Sequence, residues 1–136
     1  MQVKYKPVAA GAYTLLFDEA QGDANEKFAP SFRDQVQKVG GYGAANMSKV
    51  PMANTDGQVT FKWSSNYASA DAATAAIAAI RAAFKGKSVH LQVINGATTV
   101  YFPNATLSGS AHDQHGRECM HQLSFETDDL TTVAPQ

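Results

Sequence analysis

One cysteine, a near-zero charge balance and the lack of a long apolar run set the first limits on this chain. Cys119 stands alone, so no internal disulfide framework can staple the fold. That fits a reducing compartment. Lys plus Arg number 11 and Asp plus Glu 12, for a formal net charge of -1. Such a balance gives no bulk attraction to nucleic acid or to an acidic membrane surface. It also opposes self-association only weakly. Residues 1–7 have no apolar core and are not expected to act as a secretory signal. The most apolar stretch, residues 72–84, is broken by Thr74 and Arg81 and is too short to span a bilayer. There is no internal repeat, and no strand–helix alternation of the kind that builds a parallel sheet.

What is present suffices for one domain over residues 1–136. With 44% hydrophobic and 17% charged residues, the chain can bury a real core. Val3 and Tyr5 alternate with Lys4 and Lys6, as in a short strand ended by Pro7. Residues 12–17 read as a second strand. In residues 58–64, Val59, Phe61 and Trp63 face one side of a strand, with Thr60, Lys62 and Ser64 on the other. A helix follows. Ser69 can cap it, Asp71 suits its first turn, and Ala73, Ile77, Ile80 and Phe84 form one apolar stripe. Gly86 suits the left-handed position beyond its end.

Two hairpins complete the chain. Asn95-Gly96 favours a type I′ turn that pairs Leu91 with Val100 and Val89 with Phe102. Gln114-His115-Gly116 suits a three-residue turn that pairs Leu107 with Leu123 and Ala111 with Cys119. Pro103-Asn104 between them is either a turn or a bend in one long strand. The predicted architecture is mainly β with one helix (α+β), an antiparallel sandwich or barrel flanked by that helix.

Residues 18–57 carry the weakest local signal and seven of the chain's glycines and prolines. The expectation here is a long loop or assembly arm, with a short helix possible within 28–39. Long loops in compact domains are functional or disordered. This one keeps Phe28, Phe32, Val36, Val39, Tyr42, Met47, Val50 and Met52, which disordered linkers usually lack. These eight are the candidate interface residues.

No catalytic residue stands out. His112, His115, Cys119 and His121 are zinc-ligand types close in sequence. The predicted register puts Cys119 and His121 on one face, His112 on the other and His115 in the turn. The expectation is therefore a polar hairpin tip with no metal and no cofactor. Cys119 with His121 has no third group to orient a nucleophile. Gly40-Gly41-Tyr42-Gly43 is not followed by a P-loop lysine. Arg81, Lys85 and Lys87 suit a helix end better than a nucleic-acid contact. Trp63 and Tyr67 could form a stacking platform, but the alternation assigns Trp63 to the core.

Residues 58–125 resemble small structural proteins of tailed bacteriophages, the tail-tube family above all. The matching run is Phe61-Lys62-Trp63, an alanine-rich helix over 70–84, a strand into Asn95-Gly96, Phe102-Pro103-Asn104-Ala105-Thr106-Leu107, and a last strand over 119–125. It covers about half the chain, and the N-terminal half has no counterpart in it. The resemblance implies a non-enzymatic virion subunit, from the tube, neck or baseplate, assembled in the bacterial host cytoplasm. It implies β-sandwich domains joined into rings by strand edges and a long loop. The implied partners are copies of itself and other virion proteins, with non-specific contact to passing DNA and no membrane. Two other readings share these features: a capsid decoration or head-completion protein, and a small metal- or ligand-binding module using the tip at 112–121.

Overall fold

The computed structural model describes residues 1–9, 11–40 and 48–135, with Ser48, Ala53 and Asn54 described by backbone alone. The elements run β1 (Gln2–Pro7), β2 (Thr14–Asp18), a 3-10 turn (Glu19–Gln21), β3 (Ala24–Val39), β4 (Ser48–Asn66), α1 (Ala70–Phe84), β5 (Ser88–Asn95), β6 (Thr98–His115) and β7 (Glu118–Thr127). The strands form one seven-stranded sheet in the order β2-β1-β5-β6-β7-β4-β3. Every pairing is antiparallel. No helix of the described residues is long and apolar enough to cross a membrane.

The sheet curls on itself. Phe17, on β2 at one edge, stacks on Trp63 of β4 near the other, with ring centroids 4.6 Å apart. The inward residues of the strands between them, among them Val3, Leu91, Phe102, Leu123 and Phe125, are buried in the same core. Each such side chain contributes about 1.5–3 kcal/mol through burial. Helix α1 covers this core. Phe84 reaches in between Tyr5, at 4.7 Å, and Phe125, at 5.2 Å. Its ends are those read from the sequence: Ser69 Oγ accepts from the Ala72 N–H, and Gly86 takes φ +69° beyond the Lys85 cap.

Residues 18–57 depart most from the sequence reading. They hold a long hairpin in place of a loop, with β3 paired to β4 from Ala24↔Ser64 to Val39↔Ser48. No helix forms within 28–39. Phe28 and Phe32 are four apart, a spacing that suits one face of a helix and also one face of a strand. The core decides between them. Phe28 stacks on Phe61 at 5.5 Å and Phe32 on Phe102 at 6.4 Å.

Both C-terminal hairpins have shifted registers. In the first, Asn95 pairs with Thr98, and Gly96 takes φ +62° while Ala97 keeps a negative φ. That is the pattern of a type II′ turn. Leu91 then faces Phe102 instead of Val100, a slide of two that preserves the inward face. In the second, the turn is Gly116-Arg117, and His115 pairs with Glu118. Gln114, not Ala111, lies opposite Cys119. That slide of three is odd, so it exchanges the faces of β6 against β7. A bulge between Leu107 and Gly109 absorbs the mismatch with the rest of the strand. Pro103-Asn104 is a bend within continuous β6, with Asn104 at φ +53°.

Candidate functional site

Two features of this fold have a geometry that needs explaining. The first is the β3–β4 hairpin. β7 accompanies β4 only as far as Gly57↔Thr127. Beyond that point β3 and β4 continue as a two-stranded ribbon. At about 3.3 Å per residue, residues 33–39 carry it on the order of 20 Å past the sheet. The Thr55 hydroxyl donates to Asp34 Oδ1 at 3.0 Å near its base. A lone two-stranded ribbon is marginal in water. This one also exposes Val36 (50%), Val39 (48%), Val50 (42%) and Met52 (43%). Those four are the part of the predicted interface set that stands free. Phe28 and Phe32 do not, because they pack on their own subunit's core. Tyr42 and Met47, like Gly41 and Gly43, lie outside the described residues.

β3 is also a sheet edge. Among the described residues it has no strand partner other than β4. Pro30 lies in it, as an edge strand tolerates. At the base of the ribbon is an open polar groove of about 740 Å³, lined in part by Arg33, Asp56, Glu126 and Asp128. Among the described residues that line it, no nucleophile is hydrogen-bonded to a base.

The second feature is a buried polar cluster, and the face exchange in the second hairpin creates it. His112 lies directly opposite His121, with Nδ1 to Nδ1 at 2.7 Å. His121 is fully buried, and its Nε2 meets the Tyr67 hydroxyl at 2.9 Å. Ser65 is beside Tyr67 and donates to Asp23 Oδ1 at 2.7 Å. Cys119 Sγ is 3.8 Å from His121 Nδ1. His112 Nε2 is buried with no hydrogen-bond partner. An orphan acceptor is tolerated better than an orphan N–H. The proton of the pair therefore sits on His112 Nδ1, which donates to His121 Nδ1, and His121 Nε2–H donates to Tyr67.

Burial shifts these groups. His121 is pushed down to about 4, first by desolvation and then by His112, with Asp23 opposing. His112 is lowered by burial and by the Arg81 guanidinium. Burial raises the Cys119 thiol and the Tyr67 phenol. Of the four predicted ligand types, three come together. His115 stays apart at the turn, exposed and 3.2 Å from Asp113. No group of three or more His, Cys, Asp or Glu among the described residues is arranged to hold a metal ion. Tyr67, Ser65 and Asp23 escaped the sequence reading as members of this cluster. Their approach depends on how β3, β4 and β7 stack, and no local pattern encodes that.

No protein-family model matches the chain, and no curated protein does. Solved structures do match in fold. One is a chain from the tail of an empty gene transfer agent particle, reconstructed with C6 symmetry. It is 14% identical with a TM-score of 0.57, covering 98% of this chain and 95% of that one. Another is a chain from the virion of the native gene transfer agent particle, 13% identical with a TM-score of 0.56 and the same coverage. The likeness runs over the whole chain, including the N-terminal half that the sequence resemblance left unmatched.

Proposed function

We propose that this chain is a non-enzymatic structural subunit of a phage-like virion. It acts in the tail, as a tube, neck or baseplate component, and assembles into rings through the β3 edge and the projecting β3–β4 hairpin. The observation that carries the reading is the hairpin itself, a projecting two-stranded ribbon that carries four of the exposed large apolar side chains among the described residues. Exposed strand edges pair with other chains, and exposed apolar patches mark contact surfaces. Heterologous contacts of this kind close into rings when the rotation allows. Likeness of fold to a chain from a six-fold tail supports the same reading. The partners are copies of this chain and other virion proteins, and any contact with passing DNA is non-specific. A net charge of -1 favours a conduit wall that does not hold DNA.

Electron microscopy of the purified chain, with light scattering, tests this. Rings or tubes are expected, together with faster amide exchange in residues 33–39 and 48–56 of the free subunit than in the assembly. A monodisperse monomer at high concentration, with those amides already protected, would overturn it.

A further inference from the structure

We propose that the His112–His121 pair is an acid-sensitive latch that holds the β6–β7 hairpin tip against the start of α1, and that proton uptake by the pair releases the tip.

β7 is laddered to β4 as far as Asn66↔Glu118, and beyond that ladder the tip is docked by few bonds. The Tyr67 N–H donates to the Arg117 carbonyl at 2.8 Å. Gln114 Nε2 donates to the Ala70 carbonyl at 3.0 Å, and the Thr74 hydroxyl donates to Gln114 Oε1 at 3.0 Å. Arg81 Nη1 donates to Ser110 Oγ at 3.0 Å, further down β6. Beneath them, Tyr67 Oη and half-buried His112 meet fully buried His121. Trp63, 5.2 Å from His121 between ring centroids, supplies an apolar wall.

In the neutral state one proton lies between the two Nδ1 atoms, and each atom has its role. An added proton has no good place. On His121 Nδ1 it sets two N–H groups face to face at 2.7 Å, with the His121 ring fully buried. On His112 Nε2 it creates a buried N–H without an acceptor. The charged groups around the pair do not offset this. Arg81 of α1 repels a cation on His112. Asp23, next to β3, favours the charge but reaches the pair only through Ser65 and Tyr67. Asp113 of β6, opposite Met120, acts on Cys119 of β7 through a backbone hydrogen bond and its charge, and that thiol is neutral. Protonation is therefore relieved by opening: residues 118–121 of β7 part from the end of β4, the β6–β7 tip swings from Tyr67 and α1, and the imidazoles reach water.

The sign follows from linkage. A histidine whose proton affinity is lower in the folded state gives stability that is full above its unfolded value near 6.5. That stability is lost as pH falls toward 4. For His121 alone, the unfolding constant should rise about tenfold for each pH unit between those limits.

The test uses the whole chain between pH 7.5 and 4.5. Amide exchange, corrected for intrinsic rates, should speed up in residues 112–121 and 67–74 before it does in β1 and β5. Side-chain NMR of the wild-type histidines should show His121 not titrating above pH 5. In denaturant titrations, His121→Gln should lose the tenfold-per-unit component. If it retains the wild-type slope, or if His121 titrates near 6.5, the latch is overturned. Should His121→Gln fail to fold, the wild-type NMR and exchange measurements decide alone.

Discussion

The Phe17 ring lies 4.6 Å from Trp63, tilted from it by only 15°, so β2 and β4 meet although four strands lie between them in the sheet order. This contact, with Phe17 edge-on to Phe61 at 6.2 Å, closes the curled sheet. Phe17→Ala removes a fully buried ring at that seam and is expected to cost about 3–5 kcal/mol. Trp63 is the one tryptophan, so its fluorescence reports the site directly. A red-shifted emission and a lowered denaturation midpoint should appear together. An unchanged midpoint would mean the seam is not closed in solution.

Gly57 marks where β7 stops accompanying β4, and it has no room for a side chain. A Cβ there would meet Thr127 Oγ1 at 2.6 Å and the Asp128 carbonyl at 2.9 Å. Backbone cannot yield as a flexible side chain can. Gly57→Ala is expected to destabilise the chain by about 1–3 kcal/mol, read as a lowered melting temperature. Gly96→Ala is a useful contrast, because its penalty comes from φ +62° with nothing within 4 Å. Adding Thr127→Ser should leave the Gly57→Ala loss largely in place, since the hydroxyl and the Asp128 carbonyl both remain.

Much of the fold was legible in the chain because period and caps agreed. Ser69, the 73-77-80-84 stripe and Gly86 bounded α1, and the alternation Val59-Phe61-Trp63 set the inward face of β4. Turn chemistry located both C-terminal hairpins but missed their registers. Gly96 and Gly116 each took the first position of a two-residue turn instead of the last place in the predicted one. In the first hairpin the error was even and harmless. In the second it was odd, and it concealed the meeting of His112 and His121. β3 was illegible for another reason. Its outer residues, Arg33, Asp34, Gln35, Val36, Gln37, Lys38 and Val39, are all exposed, so no buried face imprinted a strict alternation. The candidate interface was half legible. Its apolar content was visible, but only the ribbon geometry separates Val36, Val39, Val50 and Met52 from the core-bound Phe28 and Phe32.

That separation makes an assembly prediction. Val36→Lys with Met52→Glu changes side chains already about half exposed, so the monomer should lose no more than about 0.5 kcal/mol at each site. The same pair should abolish or sharply reduce rings and tubes. Phe28→Ala should behave in the opposite way, costing stability first because its ring is stacked on Phe61. Melting temperature and sedimentation velocity on the same samples distinguish the two effects. Loss of assembly that tracks only with lost stability would count against the ribbon as the contact surface.

Cys119 offers a measure of how tightly the second hairpin is held at neutral pH. It is fully buried on β7, between β6 and β4, and desolvation raises its thiol above the ordinary 9.0. A raised value leaves little thiolate, which is the species that reacts. Burial denies a reagent access even to that fraction. Alkylation at pH 8 therefore requires β7 to part from a neighbour, and the rate follows the population of the open form. For a domain of ordinary stability, native labelling should be at least a thousandfold slower, roughly, than labelling in denaturant. Adding sub-denaturing urea should accelerate it in step with the unfolding constant. Labelling that is fast and insensitive to urea would show that the β6–β7 pair opens locally without acid. In that case the 2.7 Å contact between His112 and His121 holds nothing closed at neutral pH.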